Sequence, residues 1–148
     1  MLPVEILIRP AEVADLPGVL HLYRTALEDP VVLTEDAALA TFRRMQQYPD
    51  YILYIAESAG QPVGTFALLI MDNLGHNGAK SGVVEDVAVL PGQQGRGIGR
   101  QMMAFALGEC RRKGCYKMAL SSNLRRTRTH AFYESLGFTR HGFSFVIE

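Results

Sequence analysis

Val83-Val84-Glu85-Asp86-Val87-Ala88-Val89 and, after four intervening residues, Gln94-Gly95-Arg96-Gly97-Ile98-Gly99-Arg100 form the stretch that decides the fold. The first heptad is β-branched enough to read as a centrally placed strand. Pro91 to Gly97 is a glycine-rich loop, and from Ile98 to Lys113 the apolar residues Ile98, Met102, Phe105, Ala106 and Cys110 recur at helical spacing. Arg111-Arg112-Lys113 then supplies a cationic last turn, and Gly114 a left-handed stop. A strand, a glycine loop and a helix in this order leave the N–H groups of the first helical turn unpaired at the positive end of the helix dipole. Glycine removes the Cβ atoms that would hold an anion away from those donors, and Arg96 and Arg100 add charge nearby. A pyrophosphate is the expected guest. The alternative is a glycine turn selected only for close packing.

Two familiar phosphate loops do not fit. A dinucleotide fingerprint starting at Gly95 needs its third glycine where Arg100 stands, and the next strand ends in Ser121-Ser122-Asn123 without a ribose-binding acid. Gly92 and Gly97 have the spacing of a nucleoside-triphosphate loop, but Ile98-Gly99 replaces its lysine and hydroxyl.

Working outward, Glu5 to Arg9 reads as a short strand ending at Pro10, and Asp15 to Leu27 as a helix closed by Glu28-Asp29-Pro30. Thr34 is the expected N-cap of a second helix through Met45. Tyr51 to Glu57 and Pro62 to Met71 are strands joined by a hairpin turn at Ser58-Ala59-Gly60-Gln61, and Asn73 to Gly82 reads as a loop. Tyr116 to Ser121 is a further strand, Thr127 to Leu136 a short helix closed by Gly137, and Phe143 to Ile147 a final alternating strand. Antiparallel strands followed by a strand-loop-helix-strand crossover predict an α/β fold, a mixed and mostly antiparallel sheet with helices on both faces. With no linker, repeat or low-complexity tract, residues 1–148 are expected to form one domain, long enough to bury a core without disulfides.

Composition narrows the function classes. Fifteen basic residues balance fifteen acidic ones, so no global field recruits nucleic acid or an anionic membrane, and neither is an expected partner. Cys110 and Cys115 are too few for a disulfide framework and are expected in the core; four scattered histidines make no metal site. Met1 to Arg9 lacks a signal peptide's apolar run, and no stretch approaches the ~20 apolar residues that cross a bilayer. A cytoplasmic protein is the expectation.

The loop also matches Q/R-x-x-G-x-G/A, with Gln94, Gly97 and Gly99 at its fixed places, and Ala131 to Phe138 matches a Y-x-x-x-G-F ending. On these motifs and the element order, the chain resembles the GCN5-related N-acetyltransferases (the GNAT superfamily) over nearly its whole length. Val84-Glu85-Asp86-Val87 and Gly114-Cys115-Tyr116-Lys117 are similar to glucosamine-6-phosphate N-acetyltransferases. Ser121-Ser122-Asn123 through His130-Ala131-Phe132-Tyr133 is more like aminoalkylphosphonate acetyltransferases.

The resemblance implies acetyl-CoA as donor and a homodimer as a common assembly, although no seam in this sequence marks one. It implies that Gln94, Gly95, Arg96, Gly97, Ile98, Gly99 and Arg100 hold the diphosphate, while Val87, Ala88 and Val89 pair with the pantetheine arm as an added strand would. A backbone N–H there polarises the thioester carbonyl. The ribosomal-protein members often place an asparagine cofactor contact where Arg126 stands here; Asn123, three residues earlier, is the residue to which it is carried.

Tyr133 is the candidate general acid, because a phenol can donate to a departing thiolate or hydrogen-bond its sulfur. Aromatic packing beside Phe132 is the alternative. Glu85 is the candidate base, direct or through water, with Asp86 second; pairing with an arginine or with the loop is the structural alternative. Strand alternation places Glu85 with Val83, Val87 and Val89, and Asp86 with Val84 and Ala88. The acceptor is expected to meet the first two helices, residues 73–82 with His76, and Arg125, Arg126 and Arg128, which otherwise read as a solvated face. The expected reaction is acetyl transfer to a primary amine of a small molecule, by direct attack in a ternary complex. A protein or peptide N-acetyltransferase is the alternative within catalysis, and a non-catalytic acyl-CoA sensor the alternative outside it.

Overall fold

A computed structural model describes residues 3–27 and 29–148. Five strands, β1 (Leu7–Pro10), β2 (Tyr51–Ser58), β3 (Gln61–Met71), β4 (Lys80–Val89) and β5 (Cys115–Ala119), form one sheet in chain order. All neighbours are antiparallel except β4 and β5, which the crossover helix makes parallel. The helices are α1 (Leu16–Ala26), α2 (Glu35–Met45), α3 (Ile98–Arg112) and α4 (Thr127–Ser135). Single 3-10 turns at Val13–Asp15 and His76–Gly78 precede α1 and β4.

Each boundary has a local cause. Thr34 caps α2 by accepting from the Ala37 N–H, as its position predicts. In the β2–β3 turn Ala59 and Gly60 both have positive φ, +50° and +78°, the twist that a two-residue hairpin requires. Gly114, at φ +79°, reverses the chain after α3, and Lys113 clamps that end to Asp50 at 2.9 Å.

The sheet has apolar cores on both faces. Over one, α3 buries Ile98, Met102, Met103, Ala106 and Cys110 against Phe66, Leu68 and Val84, with Tyr133, Leu136 and Phe138 closing the rim. Over the other, α1 and α2 bury Leu16, Val19, Leu20, Leu22 and Phe42 against Ile55, Ala67 and Ala88. Arg9 ties β1 to both neighbours, its guanidinium donating to Asp15 at 2.7 and 2.8 Å and to Glu57 at 2.6 Å.

Four expectations need correction. Phe143 to Ile147 is not a strand: residues 139–148 carry no helix or strand, because nothing among the described residues pairs with them. The connection after β3 is shorter than residues 73–82, since β4 already begins at Lys80, paired with β5. Met103 takes the fully buried place assigned to Phe105, which sits half-buried at the edge of the same core. Finally, alternation along β4 is broken at Asp86, with consequences for the site. Met1, Leu2 and Glu28, which belong to the expected N-terminal segment and to the end of the first helix, lie outside the described residues.

Candidate active site

Asp86 has φ +51°, and the β3–β4 register slips there: Ala67 faces Glu85, but Thr65 faces Ala88. This is a β-bulge, one extra residue that changes which side of the strand follows. Before it, Val84 points into the α3 core; after it, Ala88 points into the α1–α2 core, while Val87 and Val89 lean on α3. Glu85, one residue from Val84, therefore shares a face with the α1–α2 side and not with Val87 and Val89. Simple alternation had the two carboxylates on opposite faces; the bulge turns both toward α1 and α2.

Both carboxylates are reachable by solvent, and among the described residues neither makes an ion pair or a side-chain hydrogen bond. Pairing with an arginine is therefore not what either does. Partial burial and then the neighbouring Asp86 charge raise the Glu85 carboxyl above the usual carboxylate range; partial burial and then Asp29 raise Asp86. The facing phenols answer in kind. Tyr23 and Tyr51 are pushed up first by burial and next by the charge of Asp86. Asp29 is tied to the end of α1, its N–H donating to the Tyr23 carbonyl at 3.3 Å. The result is a cluster of acids and phenols under α1, whose carboxylates make no ion pair among the described residues.

On the α3 side, β4 pairs with β5 only from Lys80 to Val83. Beyond Val83 the two strands separate, and the edge of β4 through Val89 is open. The Leu90 N–H donates to Val63 across the antiparallel ladder at 2.8 Å, so alternation turns the N–H of Val89 to the open edge. Ala88 faces β3, and its side chain is buried. The splay between β4 and β5 is thus a slot bounded by free main chain.

The slot leads to the start of α3. No side chain caps this helix and no acid lies in its first turn, so the N–H groups of Ile98, Gly99 and Arg100 are free. Gln94 fixes the loop by donating from Nε2 to the Val89 carbonyl at 3.3 Å, and Arg96 donates from Nη1 to Gln93 at 2.7 Å. Residues near the chain start hold the loop from behind, with the Val4 N–H donating to the Arg96 carbonyl and Gln101 Nε2 donating to the Val4 carbonyl. The Arg96 Nε is buried with no partner, a cationic donor aimed at nothing in the protein. An oxyanion at the helix start fits these donors.

The glycines divide into two roles. Gly97 caps α3 from the left-handed region, φ +82°, which a side chain rarely adopts. Gly99 is helical, but a Cβ there would stand 2.9 Å from the Phe132 ring of α4. Close packing against Phe132 therefore favours glycine at position 99. For Gly97 the need is conformational.

Tyr133 is brought to this junction by the same contact. Its ring lies 5.2 Å from Phe132 and 5.5 Å, edge-on, from Phe138. Burial raises its phenol above the ordinary value, partly countered by Arg126. Among the described residues no group hydrogen-bonds its hydroxyl. Asn123 spends its Oδ1 on the Arg125 N–H at 2.9 Å and its carbonyl on His130, shaping the turn into α4. Arg125, Arg126 and Arg128 are solvated, and His76 stacks on Tyr116 at 4.2 Å between ring centroids. Cys110 is buried in the α3 core, its thiol pushed up to about 12 by that burial.

Sequence reading missed Tyr23 and Tyr51, whose helical and strand spacing signals only core, and Asp29, which reads only as part of a helix stop. It also missed Ser122, whose Oγ is buried without a partner just past β5.

The model of the acetyltransferase (GNAT) family matches residues 17–138, and the chain belongs to that family. It is 32% identical over 139 residues to a glucosamine 6-phosphate N-acetyltransferase of Trypanosoma brucei brucei, covering 93% of this chain and 92% of that one. It is 32% identical over 98 residues to an aminoalkylphosphonate N-acetyltransferase of Salmonella typhimurium, covering 66% and 63%. A solved Trypanosoma brucei acetyltransferase superposes with a TM-score of 0.82 at 27% identity, over 97% of this chain and 99% of that one. The protein is accordingly an N-acetyltransferase, with acetyl-CoA as its acetyl donor. No helix among the described residues is long and apolar enough to cross a membrane.

Proposed function

We propose that the protein, acting as one domain, acetylates a primary amine of a small molecule by direct attack within a complex that holds both substrates. The observation that carries this reading is the open edge of β4 beyond Val83, which runs from the Glu85–Asp86 bulge to the uncapped start of α3. A donor laid along that edge has its diphosphate at the loop and its reactive end near the carboxylates.

A bound acetyl-CoA supplies an acetyl group activated on a thioester sulfur. The N–H groups from Gly95 to Arg100, with the Arg96 and Arg100 guanidiniums, hold the diphosphate, and Gln94 keeps the loop in register with β4. The free edge at Val87 and Val89 receives the pantetheine arm by strand addition and offers an N–H to the thioester carbonyl. The amide Nδ2 of Asn123 is left for a further cofactor contact. Glu85, or Asp86 beside it, attracts the ammonium and accepts its proton, and the raised affinity of both carboxyls for protons suits them to that task. Tyr133, kept protonated by its burial, donates a hydrogen bond to the sulfur as it leaves and the proton where the thiolate requires it. The acids and phenols under α1 favour a cationic acceptor.

The test is calorimetric titration with acetyl-CoA followed by turnover on a panel containing glucosamine 6-phosphate, an aminoalkylphosphonate, simple primary amines and basic peptides. Binding with turnover of a small amine is the expected result. Binding with turnover of peptides alone would overturn the acceptor class, and no heat of binding would overturn the loop assignment.

A further inference from the structure

Cys110 stands in the last turn of α3 and Cys115 opens β5, with only Arg111-Arg112-Lys113-Gly114 between them. Gly114, in the left-handed region, reverses the chain there, so the helix end and the strand start lie side by side. Strand register fixes where each thiol points. Cys110 Sγ rests on Gly82 of β4, where a Cβ would collide with it. Lys80, two residues from Gly82 and so on the same face, is the β4 partner of Cys115. The register shift next to this pair falls on the β5 side, at Tyr116, and leaves Lys80 to Gly82 regular. Paired residues share a face, so Cys115 enters the α3 core beside Cys110, and both pack in that one apolar cluster. The two thiols are close enough for one to hydrogen-bond the other.

We propose that Cys110 and Cys115 are a redox pair: with a low-molecular-weight disulfide as oxidant they close an internal disulfide that staples the end of α3 to the start of β5. A bridge needs two side chains that converge from neighbouring backbone, which is what the helix end and the strand start supply. Burial sets the order of events. Cys115, only partly buried, attacks one sulfur of the small disulfide as its thiolate, forming a mixed disulfide and releasing one small thiolate. Cys110 then yields its proton to that thiolate and attacks the Cys115 sulfur, so the mixed S–S bond breaks and the second small thiolate leaves. The two protein thiols have given up two protons and two electrons, and the small disulfide has become two thiols. Buried and with its thiol pushed up to about 12, Cys110 is a poor first target, and its attack waits for the activated Cys115 sulfur beside it.

The staple lies at the closed end of the β4–β5 pair, at the opposite end of α3 from Gly97. It leaves the open edge of β4 and the donors at the helix start as they are, so its effect falls on stability: it closes the unfolded chain from Cys110 to Cys115 into a small loop. Acetyl transfer also releases a thiol, coenzyme A. Two molecules of it reopen the staple and leave as their own disulfide.

The full chain is brought to equilibrium, without denaturant, with oxidised glutathione and in parallel with reduced glutathione, then acid-quenched, unfolded, alkylated and weighed intact. Trypsin cuts after Arg111, Arg112 and Lys113, so an internal bridge appears as two peptides that separate on reduction. The expected oxidised product is a single chain two hydrogens lighter, bridged from Cys110 to Cys115, that reopens in reduced glutathione or coenzyme A. Its Tm should lie about 5 °C above that of the reduced chain, with the same affinity for coenzyme A. Cys110→Ala is expected to stop at a glutathione adduct on Cys115, and Cys115→Ser to keep Cys110 a free thiol under the same oxidant. Two thiols still open to alkylation after oxidation would overturn the proposal. So would a glutathione adduct that persists on the unaltered chain, a bridge between two chains, or a bridge that forms only in denaturant. A bridge that leaves Tm unchanged would remove the staple. The measurements on the unaltered chain decide the matter even if the Cys110 variant fails to fold.

Discussion

The two flanks of β4 are built on different principles. The flank toward α3 is a site of main chain: a free strand edge, a helix start without a cap, and Gly97 in a conformation that side chains avoid. The flank toward α1 is a site of side chains: Glu85, Asp86, Asp29, Tyr23 and Tyr51, brought together by a bulge and a helix packing over it. A main-chain site is specified by where side chains are missing, so it shows as glycine spacing. A side-chain site needs particular groups from distant segments, and each of those segments taken alone reads as core or surface.

Replacing a side chain should therefore cost turnover, and replacing a glycine should cost donor affinity. The sharpest separation is expected from Tyr133→Phe, which should lower kcat by about 10²–10⁴-fold with the Kd for acetyl-CoA little changed. A drop below threefold removes Tyr133 from the proton-donor role. Next come Glu85→Gln and Asp86→Asn, measured as pH profiles of kcat/KM. A base acts when deprotonated, so the acidic limb lies above the ordinary carboxylate range because both groups are raised. Asp86→Asn removes the charge that helps to raise Glu85, so the remaining limb should move to lower pH if Glu85 is the base, and disappear if Asp86 is.

Asp86→Asn also carries a stability signature. A carboxyl raised on folding destabilises the folded chain once pH exceeds its unfolded value, fully so above the folded one. The variant should therefore raise Tm near pH 7 and leave it unchanged near pH 3, and asparagine tolerates the positive φ. On the other flank, Gly97→Val is expected to weaken acetyl-CoA about tenfold, the size of a left-handed penalty of roughly 1–2 kcal/mol, with kcat at saturation nearly intact. A larger loss in kcat than in affinity would break the comparison. The smallest effect is assigned to Arg9→Ala, far from both flanks. Loss of its part-exposed pairs with Asp15 and Glu57 should lower the denaturant midpoint only slightly, with no change in turnover.

Much of the architecture was legible because its signals are local. Thr34 as a cap, Gly114 as a stop and the 3.6-residue spacing from Ile98 to Cys110 each act within a turn or two of themselves. The illegible parts depend on what lies across the sheet. Gly99 sits in the anion-loop pattern yet answers to Phe132, more than thirty residues away. Phe143 to Ile147 has the alternation of a strand and is none within this chain, because alternation describes a face and not the presence of a neighbour.

By itself the sequence determined the element order, the glycine-rich junction and the family, since each rests on short-range backbone preference or on motif spacing. Only the tertiary structure decided which face of β4 carries Glu85 and Asp86. A single residue at φ +51° shifts every later side chain to the opposite side, and no periodicity announces a one-residue bulge.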